Sequence, residues 1–397
     1  MRPGPRLALL GAFSFPYPQG SQIFMRNQAH ALAACGARPE LLTYGRGVGP
    51  HPEDLVLHRA AQWISPRSMR SGLKWGKPIV DLALARTWKE TAARARAEGD
   101  SFACLLAHNA EAAGIGLALR RLTGVPVVYV VHTILRHELS AYLPRSAEAF
   151  ANRTGGWLDR ALAKRCDGLI ALGKDAALEL EPHANAPVSV QPPGQFEVPA
   201  PTAEAIALAC KRHALTPGDY ALYSGNLDRY QNLEVLEESV QRASAPLPPI
   251  VIACHDAQAA VRFSNAHRTS IRCLAVPAFE DMRALIHGAQ SLLLPRRSPG
   301  GFPIKLLNYM EAGRPIVAFE GIAPGLVDGE SARLLAPDAD GSEMARALAE
   351  LRAKPELRRK LGDGALQTLR REHDWLRIGS RTLEFLDPIL ANGSSPS

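Results

Sequence analysis

Short apolar runs of strand length alternate with amphipathic helical stretches along this chain, and the alternation starts twice. In the first half, runs at residues 7–12, 40–43, 104–107, 125–131 and 168–172 are interleaved with helical segments at 21–35, 111–122 and 175–180. Strands that are apolar throughout are buried on both faces, and strand–helix repetition gathers them into a parallel sheet covered by helices. After residues 188–191 the pattern lapses into Pro192-Pro193-Gly194 and a Pro/Ala-rich stretch to Thr202, a composition of turns and linkers. It restarts with strands at 220–223, 250–253, 291–294 and 315–318, a helix at 304–312, and helices from 342 to about 371. A further amphipathic segment, 376–390, follows a break at His373-Asp374-Trp375. At 397 residues the chain exceeds the size at which one core stops growing. The expectation is an α/β protein of two Rossmann-like domains, residues 1–195 and 196–375, followed by a separate helix over 376–391.

Composition narrows the function classes. Hydrophobic residues make up 46% and charged residues 21%, enough to build cores and too apolar for wholesale disorder. No apolar run reaches the roughly 18 residues needed to cross a bilayer, so membrane contact is expected to be peripheral. Residues 7–15 are short, Gly-interrupted and read as a first strand, not a signal peptide. The six cysteines are dispersed with no Cys-x-x-Cys pair, as for buried thiols in a reducing cytoplasm. The net charge of +7 favours anionic partners: nucleotide phosphates, an acidic membrane surface or nucleic acid. Nucleic acid is the weakest of these, because the positive charge is dispersed and no recognised module appears.

Several residues stand where chemistry is expected. The loop from Gly11 to Gly20 follows the first strand and ends at Gly20-Ser21, where a helix begins; its free amides hold a phosphate or an acceptor hydroxyl, or it is an ordinary strand–helix turn. His132 closes the run 125–131, at the carboxyl end of a buried parallel strand, where open α/β sheets gather ligands. His108 and Asn109 stand similarly after 104–107. In the second half, the segment from Pro295 through Arg296, Arg297, Gly300, Gly301, Phe302 and Pro303 to Lys305 joins a strand end to a helix, which reads as a diphosphate cradle with Arg297 or Lys305 supplying charge. Gly225-Asn226-Leu227-Asp228-Arg229 follows another strand, and Arg229 is either a phosphate partner or a surface residue.

These residues resemble the family 4 retaining glycosyltransferases. The most specific piece runs from Gly301 to Val317, similar to that family's donor-binding helix with its Ala-Gly-x-Pro turn, here Ala312-Gly313-Arg314-Pro315. Residues 325–330, Leu334-Leu335-Ala336-Pro337 and His373-Asp374-Trp375 resemble the stretches that follow. Gly20-Ser21 stands where the family has an acceptor-side glycine loop, and His132 where it has a histidine near the transferred sugar. The resemblance implies the GT-B fold, two domains facing each other across a cleft, with the last helix returning to brace the N-terminal domain. Two of its features are absent: the family's paired glutamates fall at Gly300 and Asn308, and its diphosphate-gripping Arg and Lys fall at Asn226 and Gln231. Asn308 retains a side chain able to bond a ribose hydroxyl, and Arg297, Lys305 or Arg229 stand as replacement cations.

What the resemblance implies chemically is transfer of a sugar from a UDP- or GDP-sugar to an acceptor, with retention, the leaving diphosphate being stabilised by helix-terminal amides and basic side chains without a metal or other cofactor. His132 would position or polarise the sugar. The acceptor is read from Trp63, Arg67, Met69, Arg70, Leu73, Lys74, Trp75, Lys77 and Trp88, a mix that lies on an anionic bilayer, implying a lipid-linked acceptor and a peripheral position at its inner face, or forms an ordinary basic helix–loop region. Two rival readings remain: an epimerase or hydrolase of the same fold, active without acceptor, and a degenerate protein that binds a nucleotide sugar without turnover.

Overall fold

The computed structural model describes residues 4–17, 19–49, 53–62, 76–142, 148–266, 271–297 and 302–393. The chain divides into two compact units, the first comprising Met1–Gly194, Gly300–Phe302 and Trp375–Ser397, the second Gln195–Pro299 and Pro303–Asp374.

In the first unit the order is β1 (Arg6–Gly11), α1 (Gly20–Ala34), β2 (Arg38–Thr43), β3 (Val56–Arg59), α2 (Lys77–Ala97), β4 (Cys104–His108), α3 (Ala110–Thr123), β5 (Val127–Val131), α4 (Leu135–Tyr142), α5 (Glu148–Arg165), β6 (Gly168–Ala171), α6 (Lys174–Leu180) and β7 (Val188–Val190). The strands form one parallel sheet, β3-β2-β1-β4-β5-β6-β7. Leu7 to Leu10, Cys104 to Ala107 and Val127 to Val131 are essentially without solvent contact, which is why these strands read as continuous apolar runs. The order reverses between β1 and β4, so the carboxyl ends of those strands open the crevice where such sheets take ligands.

The second unit follows α7 (Ala203–Arg212) with β8 (Ala221–Ser224), α8 (Glu234–Gln241), β9 (Ile250–Cys254), α9 (Ala257–Ala266), β10 (Arg272–Ala275), α10 (Phe279–Gly288), β11 (Ser291–Leu294), α11 (Lys305–Glu311), β12 (Ile316–Phe319), β13 (Arg333–Leu335), α12 (Gly341–Ala353) and α13 (Pro355–Glu372). Its parallel sheet runs β10-β9-β8-β11-β12-β13, with the reversal between β8 and β11. The last helix, α14 (Trp375–Gly393), belongs to the first unit. It reaches α1 closely enough that a Cβ on Gly379 would stand 2.9 Å from the Ala31 carbonyl oxygen. Thr382 Oγ1 on α14 donates to Gln191 Oε1, just past β7, at 2.6 Å.

Part of the stretch read as bilayer-facing is corrected by the fold. Trp88 is fully buried in α2, its ring 5.5 Å from that of Phe102, because it shares the core-facing stripe of Val80, Leu84 and Ala95. Lys77 is ion-paired with Glu111 at the start of α3. Trp63, Arg67, Met69, Arg70, Leu73, Lys74 and Trp75 lie outside the described residues. Among the described residues no helix is long and apolar enough to cross a membrane.

Candidate functional site

In the second unit, basic and polar groups gather at the switch point. Lys305, first residue of α11, places Nζ 2.7 Å from Tyr223 Oη and 3.2 Å from Gln231 Oε1, and 4.0 Å from the Tyr223 ring centroid. Tyr223 Oη in turn donates to the Asn226 carbonyl at 2.6 Å. Gly225 admits this arrangement: its φ is 137° and a Cβ there would meet Lys305 Nζ at 2.5 Å. The glycine is required by its backbone conformation, and a side chain there would push the Lys305 amine from its place. Gln231 Nε2 donates to Asn226 Oδ1 at 2.9 Å, and Asn226 Nδ2 donates to Asp228 Oδ2 at 2.8 Å and Tyr230 Oη at 2.9 Å, so the loop after β8 is cross-braced.

Arg296 projects from the end of β11, buried, with its guanidinium 5.8 Å from the Tyr230 ring centroid. Burial holds its basicity below the ordinary value. Burial also pulls Lys305 down to about 7, aided by the repulsion of Arg296 and opposed by Asp228. The hydrogen-bond partners of Lys305, Tyr223 and Gln231, are both neutral. Two cations desolvated near each other at a sheet's switch point make an electrostatic position suited to a diphosphate, whose charge would restore both.

Arg297 is used differently from its neighbour. Its guanidinium donates to the carbonyls of Pro337, at 2.8 Å, and Ala339, and lies 4.4 Å from the Phe319 ring centroid. It braces the segment between β13 and α12. Arg229 is exposed in the short 3-10 turn Arg229–Gln231. Phe302 and Pro303 are partly buried, and Pro303 accepts the Leu306 N–H at 2.8 Å to start α11. Asn308 lies one turn beyond Lys305, partly buried. Gly300 and Gly301 lie outside the described residues. Glu311, the acid of α11, is taken by α10: it accepts from Arg283 at 2.5 Å and lies 3.3 Å from His287 Nε2. Burial raises its carboxyl, and those two partners bring it below the ordinary value. Asp338-Ala339-Asp340 is an Asp-x-Asp sequence, but Asp340 forms a capping box with Glu343 at the head of α12.

In the first unit, β4 and β5 are neighbours and end together, which brings His108 and His132 side by side with Nδ1 of the former 3.0 Å from Nε2 of the latter. Phe24 from α1 covers both, its ring 5.1 Å from His132 and 6.0 Å from His108, and Trp375 of α14 backs Phe24 at 5.1 Å. Burial pulls His132 down to about 3 and His108 well below the ordinary histidine value, the second helped by His132. Both rings are therefore neutral, and one proton serves the bond between them. His108 Nε2 is buried without a partner among the described residues. The tautomer with His108 Nδ1–H donating leaves that Nε2 a bare lone pair, a smaller cost than an orphaned N–H. His132 then carries its remaining proton on Nδ1. Asn109 follows at φ 73°, ψ 168°, backbone otherwise left to glycine, with Oδ1 buried and unpartnered among the described residues; such strain collects at functional sites.

Gly20 and Ser21 open α1. The first helical bond there is from Ile23 N–H to the Gln19 carbonyl at 3.0 Å, no acid occupies the first turn and no side chain caps it. The amides of Gly20, Ser21 and Gln22 therefore point out of the helix end.

Sequence reading missed Arg296 and Tyr223. Both lie at or just past strand ends beside residues that were noticed; no pattern in the sequence separates the two arginines, and it is the fold that gives the Arg297 guanidinium to the carbonyls of Pro337 and Ala339.

Two doubly wound parallel units of this kind make the GT-B fold. Residues 218–354 match a family model described as "Glycosyl transferases group 1", and residues 18–194 one described as "Glycosyltransferase Family 4". Among solved structures the chain is similar to sucrose-phosphate synthase from Thermosynechococcus elongatus, with 17% identity, a TM-score of 0.79, and 98% of this chain and 100% of that chain covered. It is also similar to HepE from Anabaena in complex with UDP (15%, 0.74, 97% and 100%). A third likeness is to WaaG, described as a glycosyltransferase involved in lipopolysaccharide biosynthesis (15%, 0.68, 95% and 98%). No curated protein matches the chain in sequence. Each half of the chain thus matches a glycosyltransferase family model, and the fold is that of GT-B glycosyltransferase structures.

Proposed function

We propose that this protein transfers a sugar, with retention of configuration and without a metal, from a UDP- or GDP-sugar to an acceptor held by the first unit. The observation that carries the reading is the pairing of Lys305 and Arg296 beside Gly225 at the switch point of the second sheet. As the sugar–phosphate bond breaks, negative charge grows on the diphosphate, and desolvated cations already in place stabilise it without reorganising. HepE, similar in fold, has been solved with UDP and with UDP-glucose, which supports a uridine nucleotide as the first donor to try.

In the first unit, His132 Nδ1–H is the donor assigned to a hydroxyl of the transferred sugar. His108 supports it by fixing that tautomer, and the open amides of Gly20 and Ser21 are assigned to anionic or hydroxyl groups of the reactants. Neutral histidines orient the sugar without competing with the cations for the diphosphate.

The test is thermal stabilisation by UDP-, GDP-, ADP- and dTDP-sugars in chelator, followed by turnover with an acceptor panel. One nucleotide class should raise the midpoint, since a ligand specific to the native state stabilises it by mass action. His132→Ala should then lower kcat while leaving donor affinity within about twofold. Stabilisation by none of the four removes the donor assignment; donor breakdown or isomerisation without acceptor establishes the epimerase or hydrolase reading; binding without any turnover establishes the degenerate one.

A further inference from the structure

The six cysteines are dispersed along the chain, yet the second sheet brings two of them onto neighbouring strands. Cys254 ends β9, and Cys273 is the second residue of β10, the strand at the sheet's edge. In the parallel register Cys273 pairs with Ile252, and Ala275 with Cys254. Paired residues, and residues two apart along a strand, share a face, so both thiols lie on one side of the sheet, a diagonal step apart. Arg272 takes the other side, where its guanidinium donates to the carbonyls of His213 and Ala214 at 2.6 and 2.9 Å. The two thiols share a hydrogen bond, which pulls Cys254 down to about 7 in spite of its burial and pushes Cys273 up. Cys254 Sγ also stands 3.3 Å from the Asp256 carbonyl oxygen just before α9, and a helix start favours a thiolate. Cys254 is buried and Cys273 partly exposed, so a reagent enters at Cys273. Elsewhere, Cys104 on β4 and Cys166 just before β6 are separated by β5, Cys35 follows α1, and Cys210 lies in α7.

We propose that Cys254 and Cys273 are a thiol-oxidation site, closing to a reversible disulfide that reshapes the rim of the second sheet's crevice. The co-reactant is a small disulfide of the glutathione class. The shared proton passes to Cys254 as Cys273 Sγ attacks. One glutathione thiolate leaves and takes that proton, and Cys254 Sγ then displaces the second from Cys273. Two electrons thus leave the protein thiols and reduce one glutathione disulfide to two glutathione molecules. A lateral step of about 4.8 Å and an axial step of about 6.6 Å set the two Cα atoms roughly 8 Å apart, beyond the roughly 7 Å that a disulfide spans without backbone movement. Closure therefore draws β10 by roughly 2 Å toward the carboxyl end of β9, a shift open to an edge strand paired on one side, and the strain keeps the bond easily reduced. That movement reaches the crevice. Val276 N–H, the first after β10, donates to the Cys254 carbonyl at 2.7 Å, and Gly225 N–H, beside Lys305, donates to the Ala253 carbonyl at 2.9 Å. Burial raises the phenol of Tyr223, the partner of Lys305, well above its ordinary value, and Cys254 is among the neighbours that add to the rise. A weakened hold on donor rests on the sugar-transfer reading; the disulfide itself does not.

The experiment is equilibration of the full-length protein in mixtures of reduced and oxidised glutathione, then acid quench, alkylation in denaturant and peptide mapping by mass spectrometry. The peptides carrying Cys254 and Cys273 should be joined in oxidised mixtures and released by dithiothreitol, with none of the other four cysteines joined to another. Hydrogen exchange should rise by about tenfold at the Gly225 and Val276 amides of the oxidised protein, and stay unchanged in Cys273→Ser treated alike. The mapping is made on the native chain and stands whether or not that variant folds. Affinity for the UDP-sugar bound by the reduced protein should fall by about fivefold on oxidation. Reduced protein that binds no nucleotide sugar removes the donor assignment, while the joined peptides and the faster exchange still establish the oxidation site. No link between Cys254 and Cys273 at any glutathione ratio, a lasting glutathione adduct on Cys273 alone, or equal exchange in the two states would overturn the proposal.

Discussion

Lys305 shows most directly how a single residue's environment sets its chemistry. Its amine is held at about 7, whereas in the unfolded chain it would titrate near the ordinary 10.5. Between those values the unfolded state binds more protons than the native one, so this group makes the free protein more stable as pH rises through that window. Donor binding carries the opposite sign. A diphosphate beside Nζ favours the charged amine, so binding takes up a proton above pH 7 and affinity falls as pH rises further. Calorimetry at pH 8 in buffers of different ionisation enthalpy should detect that uptake. Lys305→Met should abolish it and weaken binding by roughly 10- to 100-fold at pH 6.5, the size of one lost charge-assisted bond. An unaltered proton count in the variant would remove Lys305 from the site. The histidine pair works by the same physics in reverse: burial keeps His108 and His132 uncharged, so neither should contribute a titration to activity between pH 5 and 8.

Elements matter here chiefly through what they hold at strand ends. Tyr309 on α11 takes its hydrogen bonds at β8, accepting from Ser224 N–H at 2.8 Å, and so fixes the strand end from which Gly225 and Asn226 depart. In the first unit, α5 fixes the start of α4: Asp159 accepts from the N–H groups of Leu135 and Arg136 at 3.1 and 3.0 Å, three residues after His132. Burial raises the Asp159 carboxyl above its ordinary value in spite of those bonds, which shows how much desolvation this cap absorbs. Asp159→Ala should cost about 1–2 kcal/mol in urea unfolding, and it should lower kcat more than it raises KM for donor, because the loop carrying His132 loses its anchor. A kcat unchanged at that loss of stability would separate the cap from the site. The Ala-Gly-x-Pro turn has an equally local reason: Gly313 takes φ 60° to end α11, and Gly362 of α13 packs so near it that a Cβ would meet the Gly313 carbonyl oxygen at 2.1 Å.

At the scale of the whole molecule, the chain leaves the first unit, builds the second and returns, so the first unit is completed by its last residues. Trp375, buried, is the first residue to come back, and it packs on the Phe24 ring that covers the histidine pair. Trp375→Ala should destabilise the first unit by about 3–5 kcal/mol, seen as faster hydrogen exchange in β1, β4 and β5, while amides of β8 and β11 keep their protection; uniform loss in both sheets would show that the two units unfold as one. The sequence by itself determined the α/β class, the doubled winding and the strand ends that gather chemistry, because buried parallel strands leave unbroken apolar runs and ligand-binding loops must follow them. It also pointed to Lys305, His132 and His108, whose places depend only on where a strand or helix ends. Short strands with polar content, such as β3 and β10, left no such run, and α2 was obscured by its charged face. That the Arg297 guanidinium is taken by the carbonyls before α12 while Arg296 lies beside Tyr230, that Trp88 belongs to the core, and that His108 and His132 stand within hydrogen-bond reach were decided only by tertiary structure. Those facts depend on side-chain direction and on contacts between residues far apart in the chain, and a linear pattern records neither.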